Sequence, residues 1–267
     1  MSHLSDRRLA FDQVAEVYDR ARPGYPSALF DDLLAFLGQR EEGPAARVVE
    51  VGPGTGQATQ SLLARGCHVT GVELGTRLAG VLRQKFPQPE LEVIQGAFED
   101  AVLPPGCWDV VFVATAFHWL DPAVRLKKPA ALLRGGGVVG IVGTNQISSE
   151  VDRGFFGRAF PIYRKYRPDE EPRKMPGEDV VPAEYLEVSE SGLFEPVALH
   201  RYRWDQRYGT AAYLDLLRSH SDTQSMEHDA REGLLAGLGD LIEREFEGVV
   251  VRPLLVTLTV GRSARLA

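Results

Sequence analysis

A glycine-rich turn at residues 52–56 is the part of the sequence best suited to bind a ligand. Glycines at these positions follow the apolar run Val48-Val49-Glu50-Val51, which is typical of a buried strand. Glycine permits a tight turn and lets a ligand approach the backbone without meeting a Cβ atom. A helix expected from about Gln57 adds unpaired backbone N–H groups, to which a carboxylate or phosphate can bind. A strand, a glycine turn and a helix in this order indicate a binding site for an adenosine-containing cofactor.

The glycine spacing distinguishes between two classes of cofactor. The dinucleotide fingerprint Gly-x-Gly-x-x-Gly requires its third glycine at position 57, where this sequence has glutamine, so a nicotinamide dinucleotide is disfavoured. The acid at position 50 and the glycines two, four and six residues after it resemble motif I of the class I S-adenosylmethionine-dependent methyltransferases. The cofactor-binding residues that this resemblance implies are Glu50, Gly52, Gly54, Thr55 and Gly56.

A carboxylate about twenty residues downstream supports the same interpretation. Residues 68–74 form a short apolar run that ends in Glu73 and Leu74. Folds of this kind place the acid that binds a ribose diol at this distance from the glycine turn. We expect the Glu73 carboxylate to accept hydrogen bonds from both ribose hydroxyls, and Leu74 to pack on the adenine ring, which needs apolar walls. The alternatives are an exposed glutamate at a strand end and an ordinary core leucine.

Strand and helix patterns alternate along the first half of the chain. Further apolar runs of strand length occupy residues 91–96, 108–114 and 138–142. The crossovers that parallel strands require are provided by helix-like segments at residues 59–64, 76–86 and 122–133. This alternation predicts an α/β protein with a doubly wound, mostly parallel sheet that helices cover on both faces.

Composition narrows the class of protein. The 267 residues are 44% hydrophobic and 25% charged, which is typical of globular chains. No apolar run approaches the eighteen or so residues of a membrane span, and no secretory signal is visible. We therefore expect a cytoplasmic protein that has no membrane partner. Cys67 and Cys107 have no C-x-x-C spacing, so we expect reduced thiols and no structural metal.

The net charge of −7 argues against a nucleic-acid partner, because such binding requires a concentrated basic face. Residues 163–167 interleave aromatic and basic side chains as a nucleic-acid patch does. The acidic residues 169–171 follow directly and would repel a phosphate backbone. We interpret the cluster as a solvated helix end or lid.

The two ends of the chain differ from its alternating centre. An amphipathic pattern over residues 11–25 predicts an N-terminal helix that folds over the cofactor. Residues 148–182 are rich in proline and charge and have no clear period, which indicates an insertion or lid. Order resumes after them, with strands predicted at residues 197–202 and 249–260 and helices at 211–219 and 230–247.

Three segments resemble small-molecule methyltransferases related to trans-aconitate methyltransferase: residues 11–26, the glycine turn, and Ala116-Phe117-His118-Trp119. The resemblance implies the class I methyltransferase fold, a seven-stranded, mostly parallel sheet whose last two strands form an antiparallel hairpin. It also implies S-adenosyl-L-methionine as the cofactor. We divide the chain accordingly into N-terminal cap helices (1–45), a cofactor-binding core (46–147), an insertion or lid (148–196) and a segment that completes the sheet (197–267).

The third and fourth strands are followed by further residues that we assign to the cofactor site. Many relatives carry an aspartate after the glycine of the third strand, whereas this sequence reads Gly96-Ala97-Phe98-Glu99. Adenine recognition is therefore expected from backbone groups near Ala97, from packing of Phe98, or from Glu99. Thr115, directly after the fourth strand, is also assigned to cofactor binding.

The remaining candidates for contact with the cofactor or the acceptor are Tyr18, Arg22, His118 and Trp119. Tyr18 and Arg22, one helical turn apart, are expected to bind the methionine carboxylate of the cofactor, as the family motif suggests, since guanidinium suits a planar carboxylate. The alternatives are a packed tyrosine and a helix-terminal arginine. His118 follows the end of the fourth strand, where open α/β sheets bind ligands, and a pKa of about 6.5 suits a base near neutrality. The alternative is a histidine of the pocket wall. For Trp119 we expect a core position rather than contact with a sulfonium.

The sequence therefore predicts an S-adenosylmethionine-dependent methyltransferase that acts on a small-molecule acceptor, at oxygen. The sulfonium is an activated methyl donor, so the protein mainly positions a nucleophile and excludes water. Two other classes stay open. One is a protein of the same fold that binds the cofactor without turnover, and the other is a nicotinamide-dependent oxidoreductase. A methyltransferase of nucleic acid would lack the basic surface.

Overall fold

A seven-stranded sheet forms the centre of the molecule. The computed structural model describes residue 19 and residues 24–38, 43–87, 89–172 and 175–264. The strands are β1 (Arg47–Val51), β2 (His68–Glu73), β3 (Leu91–Gln95), β4 (Trp108–Ala114), β5 (Leu133–Gln146), β6 (Phe194–Gly209) and β7 (Val249–Ser263). Their order is β3-β2-β1-β4-β5-β7-β6. Strands β1 to β5 are parallel, and β7 pairs antiparallel with both β5 and β6. The predicted doubly wound, mostly parallel sheet is confirmed.

Helices connect the strands and cover the sheet. Those before β5 are α1 (Ser27–Leu37), α2 (Thr59–Leu63), α3 (Thr76–Lys85) and α4 (Lys127–Leu132). Those after β5 are α5 (Phe155–Tyr166), α6 (Ala183–Glu190), α7 (Thr210–Arg218), α8 (Ser221–Gln224) and α9 (His228–Glu245). The last two strands pair as predicted, but α7, α8 and α9 lie between them in the chain, so they do not form a tight hairpin.

Buried side chains alternate along the parallel strands and place one hydrophobic cluster on each face of the sheet. Val48 and Val110 belong to one cluster, which also contains Phe30 of α1. Val49 and Val111 belong to the cluster on the opposite face. Because neighbouring residues of a strand point to opposite faces, a strand that is covered on both sides must be apolar at nearly every position. This is why the central strands could be found from their composition.

A third hydrophobic cluster lies among the helices that follow β5. The ring of Phe155 meets those of Tyr213 and Phe246 edge to face, with centroids 5.3 and 5.2 Å apart. Residues 148–182, which show no period in the sequence, thus contain helix α5, with Pro161 inside it. The interpretation of residues 163–167 as solvated is wrong for Tyr163, which packs against this cluster and hydrogen-bonds with Tyr213.

Among the described residues, neither a membrane-spanning helix nor a cluster of metal ligands is found. No helix in the ranges given above is long and apolar enough to cross a membrane. In the same ranges, no group of three His, Cys, Asp or Glu side chains is placed to hold a metal ion. Cys67 and Cys107 are free cysteines, and burial raises the pKa of the Cys67 thiol to about 11.

Glu50 places a carboxyl group inside the sheet. Its side chain is 1% exposed, and its Oε2 accepts a hydrogen bond of 2.6 Å from the Thr59 hydroxyl. Burial disfavours the charged form and raises the pKa of Glu50 to about 7; the Thr59 hydrogen bonds oppose this rise, and the nearby charge of Glu73 adds to it. The Thr59 bond also ties β1 to the first residue of α2.

We predict that Glu50 lowers the stability of the protein as the pH rises from about 4.5 to about 7. Over this window the folded state keeps the proton that the unfolded state releases, so stability is lost with rising pH. The full loss, reached above the folded-state pKa, is at most about 3 kcal/mol. Glu50→Gln should therefore flatten the pH dependence of the unfolding free energy in urea titrations. Glu90→Gln, at an exposed position, serves as the control. Parallel curves for Glu50→Gln and the unaltered protein would contradict the prediction.

Candidate functional site

A cavity of about 390 Å³ lies at the carboxyl ends of the parallel strands. Its walls come from the turns after β1, β2, β3 and β4, from the end of β5, and from α7, β7 and the turn after α7. Strand order reverses between β1 and β4, which is the position where open α/β sheets bind ligands. The volume falls within the range of small-molecule sites.

The three glycines of the turn after β1 have two different functions. Gly52 and Gly54 line the cavity with φ angles of +66° and +60°, which glycine adopts readily. Gly56 has a φ of +91°, but it does not line the cavity. A Cβ atom at Gly56 would lie 2.8 Å from Leu82 of α3 and 2.5 Å from Phe86 just after it. Gly56 therefore lets the turn pack closely against α3. A Cβ atom at Gly52 would lie 3.0 Å from that of Ala116, so Gly52 both lines the cavity and lets the turns after β1 and β4 approach each other.

Two other residues of the predicted motif also lie behind the turn. Glu50 is buried against Thr59, and Thr55 is buried with its hydroxyl accepting a hydrogen bond of 2.8 Å from the Gln57 amide. Neither residue lines the cavity. Helix α2 begins at Thr59, two residues later than expected. The structure thus places Glu50, Thr55 and Gly56 in support of the turn, and Gly52 and Gly54 on the cavity wall.

Glu73, the last residue of β2, hydrogen-bonds to the turn after β1 and to the turn after β2. These two turns form the first end of the cavity. The Glu73 side chain is 6% exposed and lines the cavity. Its Oε2 accepts from the Gly54 N–H and its Oε1 from the Gly75 N–H, both at 2.8 Å. Leu74 and Leu78 form the adjacent apolar wall. Leu78, in the first turn of α3, was not predicted from the sequence.

Lys128 of α4 holds the segment after β3 in place. Its ammonium group donates to the carbonyl oxygens of Phe98, Glu99 and Ala101 at 2.6, 3.0 and 2.7 Å. Burial lowers the pKa of Lys128, against the opposing effect of Asp100 and Glu99. Gly96 and Ala97 line the cavity together with Phe98 and Glu99. Glu99 accepts a hydrogen bond of 3.1 Å from the Asp121 N–H, and Phe98 is 3% exposed. Which of these groups recognises adenine stays a prediction.

Thr115 turns the chain at the end of β4. Its φ of +54° lies in the left-handed region, which a β-branched residue rarely adopts and which costs about 1–3 kcal/mol. The N–H of Thr115 donates to the Val142 carbonyl at 2.9 Å, and its hydroxyl lies 3.2 Å from that of Tyr25. The structure places Thr115 on the cavity wall and directs the chain after it into a short 3-10 turn, Phe117–Trp119.

His118 lies on this turn and also lines the cavity. Partial burial lowers the pKa of its imidazole; Glu184 opposes this shift, and Arg125 adds to it. The imidazole is therefore neutral near pH 7 and can accept a proton. The predicted core position of Trp119 is wrong. Its ring is half-buried, lies 4.7 Å from that of His118 between centroids, and forms part of the cavity wall, because the turn at Thr115 carries both side chains to the strand ends.

The opposite end of the cavity was not predicted from the sequence. Its walls consist of Thr144 and Gln146 at the end of β5, Leu216 and His220 at the end of α7, and Arg252 and Leu254 at the start of β7. The β5 residues had a usable signal, since ligands bind beyond the carboxyl ends of such strands. The others are brought there by the antiparallel pairing of β7 with β5, which joins positions more than a hundred residues apart.

Tyr18 and Arg22, expected to bind the carboxylate of the cofactor, lie outside the described residues. Asp19, which is described, accepts a hydrogen bond of 2.7 Å from the Lys85 ammonium and lies 3.5 Å from the Gln57 amide nitrogen. The chain at Asp19 therefore contacts the glycine turn and the end of α3.

The chain is similar in sequence to several methyltransferases. Residues 49–141 match the family model of a methyltransferase domain. A methyltransferase of Mycobacterium tuberculosis (strain H37Rv), itself uncharacterized, is 36% identical over 137 residues, which are 51% of this chain and 53% of that protein. The chain thus spans about half the length of the mycobacterial relatives that it matches. Ribosomal RNA small subunit methyltransferase A of a Synechococcus species is 48% identical over 61 residues, 22% of each chain.

Solved structures show the same fold. A protein of Anaeromyxobacter dehalogenans, provisionally assigned as a type II methyltransferase, has a TM-score of 0.57 at 24% identity and covers 91% of this chain and 97% of its own. Phosphoethanolamine N-methyltransferase 2 of Haemonchus contortus, in complex with S-adenosylhomocysteine, has a TM-score of 0.54 at 16% identity, over 95% of this chain and 58% of its own. Residues 49–141 are therefore similar to a methyltransferase domain, and the chain has the fold of the class I S-adenosylmethionine-dependent methyltransferases.

Proposed function

We propose that this protein transfers a methyl group from S-adenosyl-L-methionine to a small-molecule acceptor, at an oxygen atom. The observation that carries the proposal is the single cavity that joins the glycine turn and Glu73 to His118 and Trp119. Groups suited to hold adenosine lie at one end of this cavity. A group suited to take a proton lies on the turn after β4.

The walls of the first end fit an adenosine-containing cofactor. Glu73 presents a carboxylate that two backbone N–H groups hold in place, and a carboxylate can accept further hydrogen bonds from a ribose diol. Leu74 and Leu78 supply apolar surface for a purine ring. When bound there, S-adenosylmethionine supplies an activated methyl group. The protein itself contributes by holding donor and acceptor in contact and by excluding water.

Oxygen is the proposed target because His118 suits an acceptor that must lose a proton. A neutral imidazole can take the proton from a hydroxyl as the oxygen becomes the nucleophile. Phenols are helped by such a base and alkyl alcohols depend on it. The lowered pKa keeps His118 in the neutral form at and somewhat below neutral pH. Membership of the group related to trans-aconitate methyltransferase remains part of this proposal.

A small acceptor is favoured over a nucleic acid. The net charge of −7 opposes binding of a phosphate backbone, and the similarity to the ribosomal RNA methyltransferase is confined to 61 residues. The walls of the cavity include Leu216 and Leu254, which suit an apolar small molecule rather than a polynucleotide.

We expect the purified protein to bind S-adenosylhomocysteine in preference to NAD, because the glycine spacing lacks the dinucleotide pattern. Calorimetry measures both affinities, and the melting temperature should rise with the logarithm of the concentration of the bound ligand. Methyl transfer from labelled S-adenosylmethionine to a panel of phenols, alcohols, carboxylic acids and amines then tests turnover. Tighter binding of NAD, or cofactor binding with no methylated product from any of these classes, would contradict the proposed function.

We predict that Glu73 contributes about 1.5–3 kcal/mol to cofactor binding, the range for hydrogen bonds to a charged group. The carboxylate also holds the glycine turn, so Glu73→Gln weakens binding through two effects. A pair of ligands separates them: S-adenosylhomocysteine and its 2′-deoxy analogue. The unaltered protein and the control Glu92→Gln, exposed on β3, should prefer the intact ribose, and Glu73→Gln should lose that preference. Equal losses for both ligands would show that Glu73 supports only the turn.

We predict that His118→Ala lowers the methylation rate by about a hundredfold to ten-thousandfold and leaves the affinity for S-adenosylhomocysteine unchanged. The pH profile of kcat should lose its acidic limb, which in the unaltered protein lies below the ordinary histidine pKa. His228→Ala, at an exposed position where α9 begins, serves as the control. A higher KM with an unchanged pH profile would assign His118 to the pocket wall instead. Normal turnover would exclude it from the site.

A further inference from the structure

Arg252 is a cation in the cavity wall without a carboxylate to balance it. Among the described residues, no Asp or Glu forms an ion pair with its guanidinium group. Its Nε and Nη2 donate to the Gln146 side-chain oxygen at 3.3 and 3.2 Å. Its other near neighbours include the phenols of Tyr163 and Tyr213, whose pKa values are raised, so both phenols are uncharged. A half-buried guanidinium surrounded by neutral groups attracts an anion.

The Gln146 amide holds the Arg252 guanidinium in place. Because Arg252 supplies two N–H donors to one end of the amide, that end must be the oxygen and the NH₂ group must point away from Arg252. The amide nitrogen is buried and has no hydrogen-bond partner in the described part of the chain. Because this nitrogen has no access to solvent, it does not face the open cavity, and the part of Gln146 is to hold Arg252 through its oxygen. The guanidinium of Arg252 is the group of this pair that can meet an anion, and Arg252 lines the cavity.

The position of this pair assigns it to the acceptor rather than to the cofactor. In the order of the sheet, β7 lies three places from β1 and four from β2, which carries Glu73. At about 4.8 Å per strand, Arg252 is roughly 14 Å from the glycine turn and 19 Å from Glu73 along the sheet. His118 follows β4, which lies between the two groups of residues. Leu216 and Leu254 provide an apolar wall at the same end as Arg252.

We propose that Arg252, held in place by Gln146, binds a carboxylate of the methyl acceptor, so that the protein selects hydroxy acids with an apolar body. This proposal rests on the proposed function. Guanidinium binds a planar carboxylate through parallel hydrogen bonds. Because Arg252 holds the carboxylate at the β7 end of the cavity, away from the cofactor end, the carboxylate is an anchor and stays unmethylated. The acceptor's hydroxyl oxygen bonds to the methyl carbon as the carbon–sulfur bond breaks, and the hydroxyl proton passes to His118.

Small carboxylates without a hydroxyl test the anchor independently of methyl transfer. Benzoate and hexanoate, each paired with its primary amide, are titrated by calorimetry into the full chain with S-adenosylhomocysteine present. We expect a carboxylate to bind more tightly than its amide, and Arg252→Met to weaken that binding by about tenfold to a hundredfold, the range for a hydrogen-bonded charge. Arg207→Met, at an exposed position on β6 outside the cavity, should bind as the unaltered protein does.

Gln146→Glu tests the charge of Arg252 more specifically, because it adds a negative charge beside the guanidinium with almost no change in side-chain shape. A carboxylate at position 146 would neutralise Arg252 from within the protein, so we expect the variant to lose its preference for the carboxylate probes. Urea titration checks that each variant is folded. Amide probes that bind as well as the acids, or a preference that persists in both Arg252→Met and Gln146→Glu, would overturn the proposal. Weaker binding of S-adenosylhomocysteine to Arg252→Met would assign the pair to the cofactor instead.

The outcome also separates this proposal from the proposed function. If the carboxylates bind at Arg252 but no acceptor is methylated, the anion site is confirmed and the proposed methyltransferase function is contradicted. If methyl transfer is found but the protein has no Arg252-dependent preference for acids, the acceptor is bound in another way and only the anchor fails.

Discussion

The two hydrogen bonds that the Glu73 carboxylate accepts hold the donor end of the cavity together. One comes from Gly54 in the turn after β1, and the other from Gly75 just before α3. Since Glu73 is 6% exposed, its charge has little access to water and depends on such donors. Burial, with a smaller contribution from Glu73, raises the pKa of Glu50. Glu50 therefore keeps its proton more readily than a surface glutamate does.

The order of the strands extends this arrangement from a cofactor site to a reaction site. Because β1 to β5 are parallel, their carboxyl ends form one edge, and groups from five consecutive strands share one cavity. The antiparallel strand β7 begins at that edge and adds Arg252 to it. Between them, the left-handed Thr115 turns the chain so that His118 and Trp119 face the cavity. Strain at Thr115 thus helps to position His118, a side chain that is suited to take a proton.

Much of the fold was predictable because the buried strands carry a local signal. The bounds of β4 agree with its apolar run, since a strand buried on both faces is apolar throughout. Strand β5 extends well beyond the predicted residues 138–142, because residues 143–146 pair with β7 at one end and Leu133 pairs with β4 at the other. The predicted helix at 122–133 is shorter, as turns occupy 122–126 and β5 begins at Leu133. These boundaries depend on tertiary contacts rather than on local pattern.

The part of the site that lies in short sequence motifs at strand ends was predictable from the sequence. Gly52, Gly54, Leu74 and His118 follow strands and Glu73 ends one, and the structure brings these five to one cavity. Glu50, Thr55 and Gly56 of the same motif lie behind the turn. Arg252 and Gln146 are 106 positions apart in the chain, and no spacing rule joins them. Helix α5 was missed for a related reason, since its burial depends on α7 and α9 far along the chain.

The most direct test is a crystal structure of the full chain grown with S-adenosylhomocysteine. The central claim is that the cavity at the strand ends holds donor and acceptor together, with the donor's ribose at the β2 end. The structure should then show both ribose hydroxyls within hydrogen-bond distance of the Glu73 carboxylate, and the sulfur on the side of His118 and Trp119. Density for the ligand outside this cavity, or a ribose that makes no contact with Glu73, would contradict the claim.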